Sequence, residues 1–168
     1  MKKSYKSGFT LVEVLVSILL TGLAFMLFLQ ALNTGKNVRV KSELRTRQSA
    51  LLNSIENLIR ARRFDENNLA PWTNAVSLGV DSNETSINQF DDVDDFNNYN
   101  TASISDYPGF SYDIKVFYSE PEILTGVNAE KYFFTYSDDP TNYKSIAISV
   151  AHLTLTTLND TLIITPKL

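Results

Sequence analysis

Residues 7–32 read S-G-F-T-L-V-E-V-L-V-S-I-L-L-T-G-L-A-F-M-L-F-L-Q-A-L, and they decide the fold. A short leader before them carries Lys2, Lys3 and Lys6 and ends at Gly8. From Phe9 to Leu32, 24 residues run with one charge, Glu13. At ~1.5 Å rise per residue this run makes a helix of roughly 36 Å. That exceeds the ~30 Å hydrocarbon core of a bilayer, so the run is long enough to span one. A secretory signal peptide is excluded. Its apolar region covers only about 7–15 residues and a small-residue cut site follows, whereas no A-x-A follows here.

Glu13 is the anomaly in this segment. A carboxylate at the centre of a membrane helix costs about 2.5–3.5 kcal/mol, and less near an end. No Lys or Arg lies within a turn or two on the same helix face. The sequence therefore predicts a partner from elsewhere. A cut between Gly8 and Phe9 would create a new amino terminus. That cation on one copy could neutralise Glu13 of the next, making the helix an assembly element as well as an anchor. Gly22 inside the run reads either as a tolerated helix glycine at a small-residue contact or as a point of local unwinding.

The basic leader, Gly8 and Phe9-Thr10-Leu11-Val12-Glu13 resemble the cleavage motif of type IV pilins and related pseudopilins. The resemblance implies that a prepilin peptidase cuts between Gly8 and Phe9, that Phe9 is then N-methylated, and that Glu13 serves assembly. It also implies the pilin fold and other pilin subunits as partners.

Composition sharpens this. Residues 1–63 hold 11 Lys and Arg against 3 acids, a balance of +8. Residues 64–168 hold 4 Lys against 16 acids, a balance of −12. An acidic head argues against nucleic-acid binding. A positive leader predicts a cytoplasmic N-terminus and an exported head, and the resemblance implies that the helix sits in the inner membrane with the head in the periplasm. Cysteine is absent, so no disulfide staples that head. Many major pilins carry a C-terminal disulfide loop, so this chain departs from their pattern.

The chain divides into a leader (1–8), a transmembrane segment (9–32), an amphipathic continuation (33–63) and a globular head (64–168). Asn33-Thr34-Gly35 is a plausible kink at the membrane exit. Beyond it Val38, Leu44, Leu51, Leu52, Ile55, Leu58 and Ile59 recur at steps of mainly three and four, which places them on one helix face. One helix from about Phe9 to Arg62 is expected, its basic face either solvated or contacting acidic heads of neighbours. Residues 64–109 form an acidic connecting loop, interrupted by short elements since long structureless loops are uncommon. Trp72 is expected to pack this loop on the helix.

Within the loop stand Arg63-Phe64-Asp65-Glu66-Asn67 and Asp91-Asp92-Val93-Asp94-Asp95. Together with the N-terminal motif, these runs resemble minor pilins of the mannose-sensitive haemagglutinin type. The second run offers carboxylate oxygens, so Asp91, Asp92, Asp94 and Asp95 are candidate Ca²⁺ ligands, joined by Asp65, Glu66 and Asn67 if the two runs meet. The EF-hand pattern is absent. Without a metal, four adjacent acids are expected to repel one another and stay solvated.

Residues 110–168 read as strands. Phe110, Tyr112, Ile114, Val116 and Tyr118 alternate with Ser111, Asp113, Lys115 and Phe117 up to Glu120-Pro121. Further strands are expected at 130–136 and 144–153, with a closing hairpin turning at Asn159-Asp160. A sheet with one apolar face needs a cover, and the amphipathic half of the helix supplies it. The expected class is α+β, a long N-terminal helix on a small antiparallel sheet. His152 lies at a strand position without a nucleophile elbow, so no enzyme is expected, and no cofactor beyond the candidate calcium. Three functions fit: a minor pilin of a type IV pilus, a minor pseudopilin of a type II secretion system, or a pilin-like surface-binding module.

Overall fold

The computed structural model describes residues 8–82, 84–126 and 129–166. The leader lysines Lys2, Lys3 and Lys6 lie outside them. The class is α+β: helix α1 (Leu11–Arg60), two single 3₁₀ turns (Ala75–Ser77 and Asp94–Phe96) and strands β1 (Asn100–Thr101), β2 (Phe110–Gly126), β3 (Ala129–Tyr136), β4 (Lys144–His152) and β5 (Leu155–Ile164).

The chain forms two compact units that divide after Glu43. In the first, α1 runs unbroken through Gly22 and Gly35, so the helix does not end at Asn33-Thr34-Gly35. Its side chains from Gly8 to Gln30 are exposed. By length and composition α1 is apolar enough to cross a membrane.

The second unit begins at Leu44. Leu51, Leu52, Ile55 and Ile59 are buried at helical spacing. They pack with Phe110, Ile114 and Val116 of β2, Ile146, Ile148 and Val150 of β4, and Leu162 of β5. Phe90, Val93 and Phe96 of the loop complete this core. The helix covers the sheet because period 3.6 and period 2 each put apolar side chains on a single face.

All pairings in the sheet are antiparallel, in the order β1-β2-β4-β5, with β3 on the far half of β2. Gly109 turns the chain into β2 at φ +83°, and a Cβ there would stand 3.2 Å from the His152 ring. Two strand expectations are corrected. β2 does not stop at Glu120-Pro121 but continues to Gly126, pairing Pro121 with Phe134 of β3. Ser119, two residues before the proline, donates to Tyr143 on the side away from β3. The N–H that proline lacks therefore falls on an uncovered edge, where proline is tolerated. Asn159-Asp160 is not a turn. Asn159 pairs with Ser149 and Asp160 with Ile148 inside β5, and the chain reverses at Leu153-Thr154 instead. The loop from 64 to 109 holds the two 3₁₀ turns and β1, as its length required. Trp72 packs edge-on against Phe64 with centroids 5.0 Å apart, and its Nε1–H donates to Asn142 at 2.9 Å. It thus ties the post-helical loop to the β3–β4 connection.

Candidate functional site

Two regions carry chemistry. The first is the helix entrance. Phe9 is exposed and Gly8 has open space around it. Thr10 immediately precedes α1, and its hydroxyl accepts from the Glu13 N–H at 3.3 Å. The Glu13 carboxylate in turn accepts from the Thr10 N–H at 3.3 Å and from its hydroxyl at 3.4 Å. This is a capping box, which satisfies two of the free donors of a helix start. The expectation that Glu13 lacks any partner of its own therefore does not hold. The pattern T-x-x-E at Thr10 to Glu13 is its signature in the sequence.

The second region is the acidic cap of the head. The Arg63-to-Asn67 and Asp91-to-Asp95 runs do meet. Arg63 and Asp92 form a backbone bridge, and the Arg63 guanidinium pairs with Asp91. Between the runs stands Lys144, the first residue of β4, which strand periodicity alone did not single out. Its side chain is fully enclosed. Nζ donates to the Phe64 carbonyl at 2.6 Å, to Asp65 Oδ2 at 3.0 Å and to Asp94 Oδ1 at 2.9 Å. Asp92, Asp94 and Asp95 are buried and Asp91 is exposed. The expectation of a solvated acidic run is corrected for three of the four. The reason is local: Val93 and Phe96 enter the core and draw the turn in, while backbone donors satisfy the acids. The Asp92 Oδ1 accepts from the N–H groups of Asp94 and Asp95, and the Asp95 Oδ2 from those of Asp91 and Asp92.

This packing moves the carboxyl equilibria. Burial, with the Asp94 and Asp95 carboxylates close by, pushes the Asp92 carboxyl up to about 9. Burial and Asp95 push Glu84 up to about 7, and contact with Asp81 does the same for the exposed Glu66. Asp65 goes the other way. Burial would raise it, but the N–H groups of Thr73 and Asn67 and the Lys144 ammonium hold it below the usual carboxylate range.

The candidate calcium residues separate into two groups. Asp91 and Asp95 stand with Glu84, which was not among the candidates, with one oxygen from each within 4.8 Å of the others. Asp94 faces Lys144 and Asp92 packs beside it. Asp65, at the other run, also serves Lys144. His152 stacks on Phe110 and its Nδ1 meets Thr154, so its environment is one of packing.

Residues 3–29 match the Prokaryotic N-terminal methylation motif. The chain has a prepilin-type N-terminus. The motif indicates the precursor of a type IV pilin or pseudopilin. For a prepilin-type precursor it implies processing by a prepilin peptidase and assembly with other pilins. It points to a structural subunit and away from an enzyme. The apolar helix that follows fits membrane anchoring. No curated protein and no solved structure matches the chain.

Proposed function

We propose that this chain is a minor pilin of a type IV pilus, of the mannose-sensitive haemagglutinin type. It is cut between Gly8 and Phe9, N-methylated on Phe9 and built into the filament through its N-terminal helix. The match to the methylation motif carries this reading. The exposed Gly8-Phe9 junction, open to a peptidase, supports it. Before assembly the subunit sits in the inner membrane with its N-terminus cytoplasmic and its head periplasmic. In the filament, Glu13 exchanges its Thr10 contacts for the methylated amine of a neighbouring subunit. The Arg63-to-Asn67 and Asp91-to-Asp95 runs are the features that favour a pilus of this type.

The test is the intact mass of the protein recovered from native membrane and from sheared surface filaments. The expected species begins at Phe9, carries one methyl group and occurs in the filament fraction. A mass beginning at Met1 in cells with active prepilin peptidase overturns the processing. A processed chain confined to the cell envelope, absent from filaments and required for protein secretion, assigns it to a secretion pseudopilus instead. Replacement of Gly8 with a bulky residue is expected to leave the leader attached.

A further inference from the structure

The assembly reading makes no use of Lys144. Enclosed lysines are uncommon and are paired when they occur. Lys144 has its nitrogen between two aspartates and two aromatic rings, with Phe64 at 4.6 Å and Tyr118 at 5.5 Å from ring centroid to Nζ. The two aspartates differ chemically. Asp65 accepts from the N–H of Asn67, from the N–H and hydroxyl of Thr73, and from the Tyr118 hydroxyl. Four donors besides the lysine stabilise it as an anion and make its carboxyl carbon a poor electrophile. Asp94 Oδ1 is held by the Lys144 Nζ at 2.9 Å. Beside it is Asp92, 1% exposed, whose Oδ1 accepts from the Asp94 N–H at 2.9 Å and whose Oδ2 is enclosed without a donor. The nitrogen of Lys144, one carboxyl group and a second carboxyl beside it thus lie together next to the rings of Phe64 and Tyr118.

We propose that Lys144 and Asp94 join in an autocatalytic isopeptide bond, with Asp92 as the proton relay and Asp65 as a positioning residue. The Lys144 ammonium passes one proton to the Asp94 carboxylate and becomes an amine. The nitrogen lone pair attacks the Asp94 carboxyl carbon, forming the C–N bond. Asp92 gives its proton to the departing hydroxyl as the C–O bond breaks, then takes one from the nitrogen. One water leaves. Of the three ammonium hydrogens, one stays on the amide nitrogen and the equivalent of two departs with the oxygen. No oxidant, reductant or further reactant is needed. The remaining amide N–H can donate to Asp65 Oδ2.

Two physical terms favour the condensation. Fixed proximity supplies effective molarities of about 10⁵–10⁸ M for well-oriented groups. Exclusion of bulk water slows the reverse hydrolysis. Lys144 and Asp94 stand 50 positions apart in the chain. Their bond would close the kind of long loop that a disulfide closes in exported domains, in a chain without cysteine. This inference does not depend on the pilin reading.

The full chain, purified in detergent, tests it by mass spectrometry. The expected chain is lighter by one water than its sequence requires, for whichever N-terminus it carries. Its tryptic digest should contain a branched peptide joining the Asp94 and Lys144 segments, with no cut after Lys144. A chain of full mass, or a water loss confined to a linear peptide, overturns the bond and leaves an ion pair only. Asp94→Asn should still cross-link, with loss of one ammonia in place of water. Asp92→Asn, in a chain with unchanged circular dichroism, should keep its full mass. Cross-linking of Asp92→Asn to the parental extent overturns the relay.

Discussion

Gln48 of α1 reaches across the core to donate through Nε2 to the carbonyl oxygen of Val150 in β4, at 2.8 Å. A second bond from the same nitrogen reaches the Thr156 carbonyl at 3.1 Å. The register between β4 and β5 shifts between Val150 and His152, so the ladder is irregular there. One helix side chain thus serves carbonyls on both strands beside the irregularity. Gln48→Leu removes the donor while keeping the bulk, and takes that donor from the carbonyl of the buried Val150. A loss of about 1–3 kcal/mol is expected, read as a lower midpoint in chemical unfolding. An unchanged midpoint would mean that water replaces the amide.

Lys144 should dominate the stability of the head. Lys144→Met leaves Asp65 and Asp94 enclosed without their cation, and relative to the chain with the ion pairs not covalently joined this costs about 3–5 kcal/mol. Tyr118→Phe makes a useful contrast. It removes a hydroxyl that donates to the Thr73 carbonyl at 2.7 Å and to Asp65 at 3.4 Å, but leaves the charges paired. A loss of about 1–2 kcal/mol is expected for it. Parallel unfolding curves of the two variants check the order.

The acidic cap sets a pH dependence. Asp92, Glu84 and Glu66 hold protons more tightly folded than unfolded, so folding takes up protons. Their contribution is therefore fully present below the ordinary carboxylate range. It is lost as pH rises toward about 7 for Glu84 and Glu66, and toward about 9 for Asp92. Asp65 acts in the opposite sense, its contribution being lost as pH falls through its depressed value. The thermal midpoint of the head should peak in mildly acidic buffer and decline toward alkaline pH. A midpoint that rises steadily through neutrality would contradict this assignment.

Calcium should act on the same decline. A divalent ion at Glu84, Asp91 and Asp95 would neutralise carboxylates that otherwise repel. Added calcium is expected to raise the midpoint at alkaline pH more than at acidic pH, and Glu84→Gln should abolish the difference. Equal midpoints with calcium and with chelator at every pH would exclude an ion there.

Glu13→Val tests the entrance to the helix. Membrane insertion should be unimpaired, since the change removes a charge. Filament incorporation should drop, measured as the share of the chain in sheared filaments. Because Glu13 also closes the capping box, Thr10→Ala is the control. It removes the hydroxyl of the box but keeps the carboxylate, and should assemble nearly as the parent does.

The long apolar helix and its sheet-covering second half were legible because the first signal is long and the second is periodic. The strands of β2 and β4 were legible for the same reason. The errors arose where a local signal competed with a long-range one. Asn159-Asp160 has good turn chemistry, yet pairing with Ser149 and Ile148 holds both residues in β5. Pro121 is a strand breaker only where its missing N–H would face a partner strand, and local sequence does not reveal which edge is free. The fate of Asp94 was hidden because its partner is Lys144, 50 positions further along the chain. That of Asp92 and Asp95 was hidden because it follows from the entry of Val93 and Phe96 into the core.

β2 belongs to two ladders at once. Its first half pairs with β4 from Phe110 to Tyr118, and its second half pairs with β3 from Ser119 to Gly126. A pull on the β2–β3 ribbon therefore enters the main sheet lengthwise along an unbroken backbone. The bonds between β2 and β4 are then loaded together in shear and do not peel apart one at a time. A load applied at the ribbon reaches the centre of the head as a tension that the whole ladder shares.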